Sequence, residues 1–183
     1  EVEFEPEEAG ELPFQPALPS PAVPDTTDPE ATRNTVLVHH KKDVSEQATA
    51  RAYRHNLLER LYHGMLNRRF HELTIQADPP FLGGYSGLGQ SVRTKKFLLI
   101  GAAVENNGFE RGLNALLTEE KRVASHGFTA TELARLKKQM LRGMEQAWRE
   151  RDKLQSGGFA SEYVRHLLED ETIPGIAREY ELY

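Results

Sequence analysis

Cysteine is absent from all 183 residues, which rules out a disulfide scaffold, a zinc site with thiolate ligands and a cysteine nucleophile. Long hydrophobic runs are missing too. The longest apolar stretch, residues 97–104, is far shorter than the roughly 20 residues of a membrane-spanning helix. The sequence does not show a basic start followed by an apolar stretch, which is the pattern of a signal peptide. The length fits one domain with an added segment and is sufficient for a hydrophobic core.

Basic residues are missing from the first 30 positions, which hold nine acidic residues and seven of the ten prolines. Prolines at this density prevent a helix and interrupt the hydrogen bonds of a sheet. Residues 1–30 are therefore predicted to be an extended linker from an upstream domain. The remainder carries 23 basic and 19 acidic residues. Because the sequence starts at Glu1 rather than methionine, it is expected to be a piece of a longer polypeptide.

From residue 34 onwards, residue spacing predicts alternating strands and helices. Thr129 and Glu132 stand at the spacing of a capping box and mark the start of one helix. The first half is predicted to contain a strand over 34–39, a helix capped by Asp43 or Ser45 and ended by Asp78-Pro-Pro80, and strands over 81–91 and 93–105. The second half is predicted to contain a turn at 106–108, a helix over 109–126, a helix from Thr129 to Lys153, a break at Ser156-Gly-Gly158, and short helices over 159–168 and after Pro174.

The tight connection at Ser91-Val92 favours antiparallel pairing of the two strands that it joins. The element order is β-α-β-β-α-α. It predicts an α+β fold of two layers, with an antiparallel sheet covered by helices on one face.

Three histidine patterns approach the spacing of metal sites without completing it. His71 begins a zincin-like pattern, but Ile75 replaces its second ligand. His166 begins the inverted pattern, with Asp170 in place of the second histidine, and His55 and Glu59 share a helix face without a third donor. Solvated or packed helix histidines are the favoured interpretation. A hydrolase using His71, Glu72 or Asp170 requires a fold that brings these residues together.

The glycine-rich stretch Gly83–Gly87 fails as a nucleophile elbow because of the position of Leu88, and it lacks the features of a phosphate loop. It is interpreted as a strand whose small residues allow close packing. The alternative is an edge strand that accepts a peptide.

Basic residues are concentrated on the third helix, with acidic residues between them. The pattern favours an exposed face with i,i+4 ion pairs over a nucleic-acid site. The basic residues are Arg135, Lys137, Lys138, Arg142, Arg149, Arg151 and Lys153.

Several longer motifs resemble the non-catalytic domains of the M16 zinc metallopeptidases, the pitrilysin and insulinase family. These motifs are Leu61-Tyr-His-Gly-Met-Leu-Asn-Arg-Arg-Phe-His-Glu-Leu73, Asp78-Pro-Pro-Phe-Leu-Gly-Gly84, His126-Gly-Phe-Thr-Ala-Thr-Glu-Leu133, Glu150-Arg-Asp-Lys153, Glu162-Tyr-Val-Arg-His-Leu-Leu168 and Ile173-Pro-Gly175. The resemblance covers residues 31–183 and is greatest to the second domain of long, single-chain bacterial members. It implies a domain truncated at its C-terminal end.

In that family, the catalytic domains carry a His-x-x-Glu-His motif that binds zinc, and no such motif occurs in this chain. The resemblance therefore implies a chain without catalytic residues or metal ligands, inside a parent zinc endopeptidase whose zinc lies in an absent upstream domain. It implies three partners: that upstream domain, the second half of the same polypeptide, and a peptide or unfolded protein substrate. No nucleic acid or membrane partner is expected, and a periplasmic or secreted location is favoured for the parent.

The resemblance also implies a peptide-anchoring strand edge. In insulinase-like members, a strand of the second domain offers such an edge, and Phe81, Leu82, Gly83 and Gly84 match that strand in character. Tyr85 stands near the position of a substrate-contacting tyrosine, but the arginine that accompanies it is absent. A wall of the substrate chamber is the favoured interpretation of these residues. The alternative function is a stand-alone interaction module that uses the strand edge at Phe81 or the basic helix.

Overall fold

The computed structural model describes residues 34–44, 49–92, 95–153, 156–169 and 172–183. The predicted linker over residues 1–30 lies outside these ranges. The elements are β1 Asn34–Asp43, α1 Ala50–Thr74, β2 Gly83–Val92, β3 Lys95–Val104, α2 Phe109–His126, α3 Ala130–Arg149, a single 3-10 turn Arg151–Lys153, α4 Ser156–Glu169 and α5 Gly175–Leu182. Among the described helices, none combines the length and the apolar character needed to cross a bilayer.

The three strands form one antiparallel sheet in the order β1-β3-β2. β3 is central because its second half is almost entirely apolar and can be buried on both faces. The predicted pairing of β2 with β3 is confirmed, with a bulge between Gln90 and Val92. β1 and β2 are the outer strands of this sheet. The predicted α+β fold with an antiparallel sheet is therefore confirmed.

The core lies between one face of the sheet and helices α1 and α2. Alternate residues of β3 point into it, as the period of a strand requires. They meet side chains spaced three or four residues apart on each helix. The buried apolar residues of this core are Leu66, Phe70, Phe81, Ile100, Ala102, Val104, Leu116 and Val123.

The cap predicted for the first helix is wrong. Asp43 is the last residue of β1, which continues beyond His39 because its polar second half pairs with Lys95–Leu98 of β3. Ser45 lies outside the described residues. Thr49 caps α1 instead, and its Oγ1 accepts a hydrogen bond from the Ala52 amide at 3.1 Å.

The signals at the start of α3 and at the end of α2 are confirmed. Thr129 Oγ1 accepts from the Glu132 amide, and the Glu132 carboxylate accepts from the Thr129 amide at 2.7 Å, which completes the capping box. α2 ends at His126, and Gly127 follows with a φ of 69°. The prediction of a break at Ser156–Gly158 is wrong, because these residues form the first turn of α4.

α4 exposes its whole apolar stripe, whereas α5 packs against α3. The contact of α5 is a stack of Tyr180 on Trp148, with ring centres 5.9 Å apart. The exposed large apolar residues of α4 are Phe159, Tyr163, Val164, Leu167 and Leu168.

Candidate functional site

The predicted peptide-binding segment, Phe81 to Tyr85, leads into the outer strand β2. Phe81 is 2% exposed, and its ring stands perpendicular to that of Phe70 at 6.1 Å. Leu82 is 61% exposed, and its amide donates to the Ala103 carbonyl at 2.8 Å. Phe81 therefore anchors the segment in the core, while the Leu82 side chain faces solvent.

The next three residues alternate between the two faces of the sheet. Gly84 lies under the Phe81 ring, where a Cβ atom would stand 2.8 Å from a ring carbon. Gly83 has open space above it. Tyr85 is 43% exposed, and its ring lies over Gly101. The side chains of this segment that solvent reaches are thus those of Leu82 and Tyr85, and peptide binding here stays a prediction.

Beyond Tyr85, a side chain of α1 forms hydrogen bonds with the main chain of β2. Asn67 of α1 donates through Nδ2 to the Ser86 carbonyl at 2.9 Å, and its Oδ1 accepts from the Ser86 amide at 2.5 Å. A neighbouring strand would form the same kind of paired hydrogen bonds. The outer edge of β2 is therefore closed at Ser86 and continues on either side of it.

The Ser86 side chain makes a second connection to α1. Its Oγ lies 2.6 Å from Nδ1 of His63, and both residues are buried. Burial lowers the pKa of His63, and Lys42 lowers it further, while Glu59 acts in the opposite direction. His63 is therefore a neutral partner of Ser86 at neutral pH. The pair holds β2 against α1.

Arg69 joins three helices from the next turn of α1. Its guanidinium binds both carboxylate oxygens of Glu132, at 2.6 and 2.9 Å, and Oε1 of Glu119 at 3.0 Å. It also donates to the Gly127 carbonyl at 3.2 Å and lies 4.9 Å from the centre of the Phe128 ring. The Glu119 side chain is only 4% exposed and also accepts a hydrogen bond from Arg122 of the same helix at 2.7 Å, so two arginines compensate its buried carboxylate.

The ion pairs of this network shift the pKa values of two of its members. The hydrogen bond from Arg69 lowers the pKa of Glu132 from 4.5 to about 2; desolvation opposes the shift, and hydrogen bonds from Thr129 add to it. The pKa of Arg69 is raised, first by its hydrogen bond to Glu132. Both groups are charged over the whole physiological range, and they fix α1 relative to α3, and β2 with it.

Near His55 and His71, the described carboxylates pair with basic side chains and do not form a zinc site with these histidines. Within the described ranges, no three His, Asp or Glu residues converge on one point. His55 lies 3.4 Å from Glu59, whose carboxylate also binds Lys42. Glu72, next to His71, lies 3.5 Å from Arg68. Asp170 is outside the described residues.

The basic face of α3 differs from its prediction. Its basic residues at 135, 137, 138, 142 and 149 form no ion pair with any described residue. Glu132, the acidic residue nearest to Arg135 in the sequence, binds Arg69 instead. The i,i+4 contact of this helix is a hydrogen bond from Gln146 to Glu150 at 3.3 Å. The prediction of i,i+4 ion pairs is therefore wrong for this face.

The chain shares this arrangement of strands and helices with insulinase-family proteases, and the resemblance predicted from the sequence is confirmed. A zinc protease PQQL-like protein from Arabidopsis thaliana is 28% identical to the chain over 179 residues, which cover 95% of the chain and 16% of that protein. No family model matches the chain.

Three solved structures share the fold. The periplasmic protease PqqL from Escherichia coli has a TM-score of 0.75 and 17% identity, over 84% of the chain and 17% of PqqL. The separately solved first half of PqqL has a TM-score of 0.77 and 16% identity, over 84% of the chain and 33% of that half. An insulinase family protease from Yersinia pestis has a TM-score of 0.71 and 10% identity, over 93% of the chain and 39% of that protein. The chain thus spans a minor part of each relative.

Sequence reasoning missed the polar residues that position the site. His63 and Asn67 lie four residues apart on α1, next to the buried positions Leu66 and Phe70. Glu119 interrupts the apolar stripe of α2 between Leu116 and Val123. A polar residue within an apolar stripe requires a partner when it is buried, and this signal was available in the sequence.

Proposed function

We propose that the chain is a non-catalytic domain of a longer zinc-dependent endopeptidase, in which it forms part of the substrate chamber. One observation carries this proposal: the chain shares its fold with PqqL over 84% of its length, yet its 183 residues contain no His-x-x-Glu-His motif. In the parent protein, an upstream domain would supply the zinc and the residues that activate water. The chain itself supplies a scaffold and a peptide-facing surface.

The outer edge of β2 supports a role in anchoring peptide. Hydrogen-bonding groups alternate in direction along an antiparallel strand, so Gly84 and Leu88 direct their main-chain groups to the same side as Ser86. Asn67 occupies that side at Ser86, and Gly84 and Leu88 lie on either side of it. An added strand that pairs with both residues therefore takes the place of the Asn67 carboxamide at Ser86. Main-chain pairing tolerates varied side chains, as a peptidase of unfolded substrates requires.

α4 supports the existence of a partner domain in the same polypeptide. An isolated helix of 14 residues is marginal in water, and this helix exposes five large apolar side chains along one stripe. The Arabidopsis relative is several times longer, since the chain covers 16% of it. In our proposal, a further domain of the parent covers the α4 stripe. The periplasmic relative PqqL supports an exported parent.

Zinc content and peptidase activity of the purified chain test the catalytic part of this proposal. We expect less than one-tenth of a zinc ion per chain and no cleavage of a fluorogenic peptide library in the presence of zinc. One zinc ion per chain that is lost in His166→Ala and retained in His126→Ala would overturn the proposal. Cleavage by the chain alone would overturn it as well.

The anchoring role is tested by nuclear magnetic resonance of the ¹⁵N-labelled chain with an extended 12-residue peptide. We expect the amide signals of Gly84 and Leu88 to shift. The control is the same peptide with N-methylated amides, which cannot donate hydrogen bonds and should give no shifts. Equal shifts with both peptides would contradict main-chain pairing.

A further inference from the structure

The glycines of β2 are of two kinds. Gly84 and Gly89 lie under aromatic rings, because a Cβ atom would stand 2.8 Å from Phe81 at the first and 2.3 Å from Phe97 at the second. Gly83 and Gly87 have no atom within 4 Å of that position. A glycine inside a strand costs about 0.5–1 kcal/mol relative to alanine. Packing among the described residues thus explains the first two glycines and leaves Gly83 and Gly87 unexplained.

Both open glycines lie on the sheet face opposite α1 and α2. Successive side chains of a strand point to opposite faces, and Ser86 and Gly84 face α1. Tyr85, between the two open glycines, therefore points to the other face. There it meets Leu37 above Gly101, where a Cβ atom would lie 2.6 Å from the leucine and 2.9 Å from the tyrosine ring.

Gly87 forms the floor of a recess on this face. In the sheet register Gly87 pairs with Leu99, and the neighbouring rows place Tyr85 on one side and Phe97 on the other. The Phe97 ring is fixed by a parallel stack on His39, with ring centres 4.7 Å apart. The side chains of Tyr85, Phe97 and Leu99 thus surround Gly87, which has no side chain.

We propose that the recess above Gly87 receives one bulky apolar side chain, aromatic or leucine, of an extended peptide. This inference rests on the proposed function, since it names the kind of side chain that the peptide-facing surface prefers. A strand glycine beside large apolar neighbours is a position where an aromatic residue on an adjoining strand restores packing. Such a side chain would come from a peptide lying along the outer edge of β2.

The dimensions of the patch favour a peptide over a domain or a second copy of the chain. The large apolar side chains exposed on this face are Leu37, Tyr85 and Val92, at 47%, 43% and 51%. The same face carries the polar side chains of Thr35, His39 and Lys41 along β1, which are exposed. A stable protein interface buries roughly 1,200–2,000 Å² around a continuous apolar centre, whereas among the described residues of this face Leu37 lies between the exposed polar side chains of Thr35 and His39.

Two peptides and two variants of the 183-residue chain test the recess. The peptides are glycine-serine 12-mers with a single central residue, phenylalanine in one and alanine in the other, titrated against the ¹⁵N-labelled chain. We expect the phenylalanine peptide to bind at least tenfold more tightly and to shift the amides of Gly87 and Leu99. Gly87→Val fills the recess and should abolish that preference. Gln90→Val, an exposed position on the opposite face of the same strand, is the matched control and should preserve it.

Gly87→Val is expected to fold, because its Cβ atom enters open space and valine favours strands. Equal affinity of the two peptides, with shifts confined to the main chain at Gly84 and Leu88, would contradict side-chain binding in the recess but not main-chain anchoring of the peptide. Shifts with neither peptide would overturn both. Dimerisation of the chain that is lost in Gly87→Val would also overturn the recess, since a second copy would then occupy it.

Discussion

Asn67 and Ser86 are joined by two hydrogen bonds, although one residue lies on α1 and the other on β2. The carboxamide has one donor and one acceptor group in the geometry of a peptide bond, so it satisfies both main-chain groups of Ser86 as a neighbouring strand would. An outer strand with unpaired groups is a template for association. The Asn67 side chain removes that template at the middle of β2.

Asn67→Leu should destabilise the chain and open this edge. Leucine has the same branched arrangement of four side-chain heavy atoms but leaves the Ser86 amide and carbonyl without partners, at a cost of about 1–3 kcal/mol. Urea unfolding should show this loss, and sedimentation should show concentration-dependent association. Asn114→Leu, at an exposed position of α2, is the control and should change neither property. An Asn67→Leu variant as stable as the wild type would contradict a structural role for these hydrogen bonds.

Arg69→Met should be among the most destabilising single changes in the domain. It leaves the buried carboxylate of Glu119 without its interhelical partner and removes the bidentate pair with Glu132. Breaking a buried ion pair from one side costs about 3–5 kcal/mol. Because Arg122 still pairs with Glu119 at 2.7 Å, we expect a loss at the lower end of that range. The neighbouring change Arg68→Met removes an exposed contact with Glu72 and should cost at most about 1 kcal/mol. Similar losses for the two variants in urea unfolding would refute the distinction.

Stability should fall in acid through Glu132. Its pKa is about 2 in the folded chain and 4.5 ordinarily, so the unfolded chain binds the proton first. The stabilisation is complete above about pH 4.5 and is lost as the pH falls towards 2. The difference in pKa corresponds to on the order of 3 kcal/mol. Unfolding free energies of wild type and Glu132→Gln between pH 2 and 7 measure this contribution, and the variant should show the weaker dependence on pH. Equal slopes would contradict it.

Local signals in the sequence predicted most of the elements. The capping box at Thr129, the turn at Asn107 and the end of α2 at Gly127 depend on residues a few positions apart, and all three are present. The predictions failed where distant pairing decides the outcome. The polar half of β1 is a strand because β3 lies beside it, and no local pattern in β1 carries that information.

The same distinction applies to the candidate site. The residue types of Gly83–Gly87 favour a strand with close packing and leave a peptide-accepting edge as the alternative, and the family resemblance extends that alternative to Phe81–Tyr85. Arg69 and Glu132 are 63 residues apart, and Asn67 and Ser86 are 19 apart. Sequence spacing cannot match such partners, because each becomes a neighbour of the other only through the packing of α1.

Alanine should have opposite effects at two glycines of β2. At Gly84, its Cβ atom would lie 2.8 Å from the Phe81 ring and 3.1 Å from Cβ of Phe70. Both neighbours are in the core and cannot move aside, so Gly84→Ala should cost about 1–3 kcal/mol. At Gly87 the same methyl group enters open space. Because alanine lowers the conformational entropy of the unfolded chain, Gly87→Ala should raise the free energy of unfolding by about 0.5–1 kcal/mol. Because the strand and the substitution are the same, urea unfolding of the two variants isolates the packing difference. A loss at Gly87 equal to that at Gly84 would show that the space above Gly87 is already filled in the folded chain.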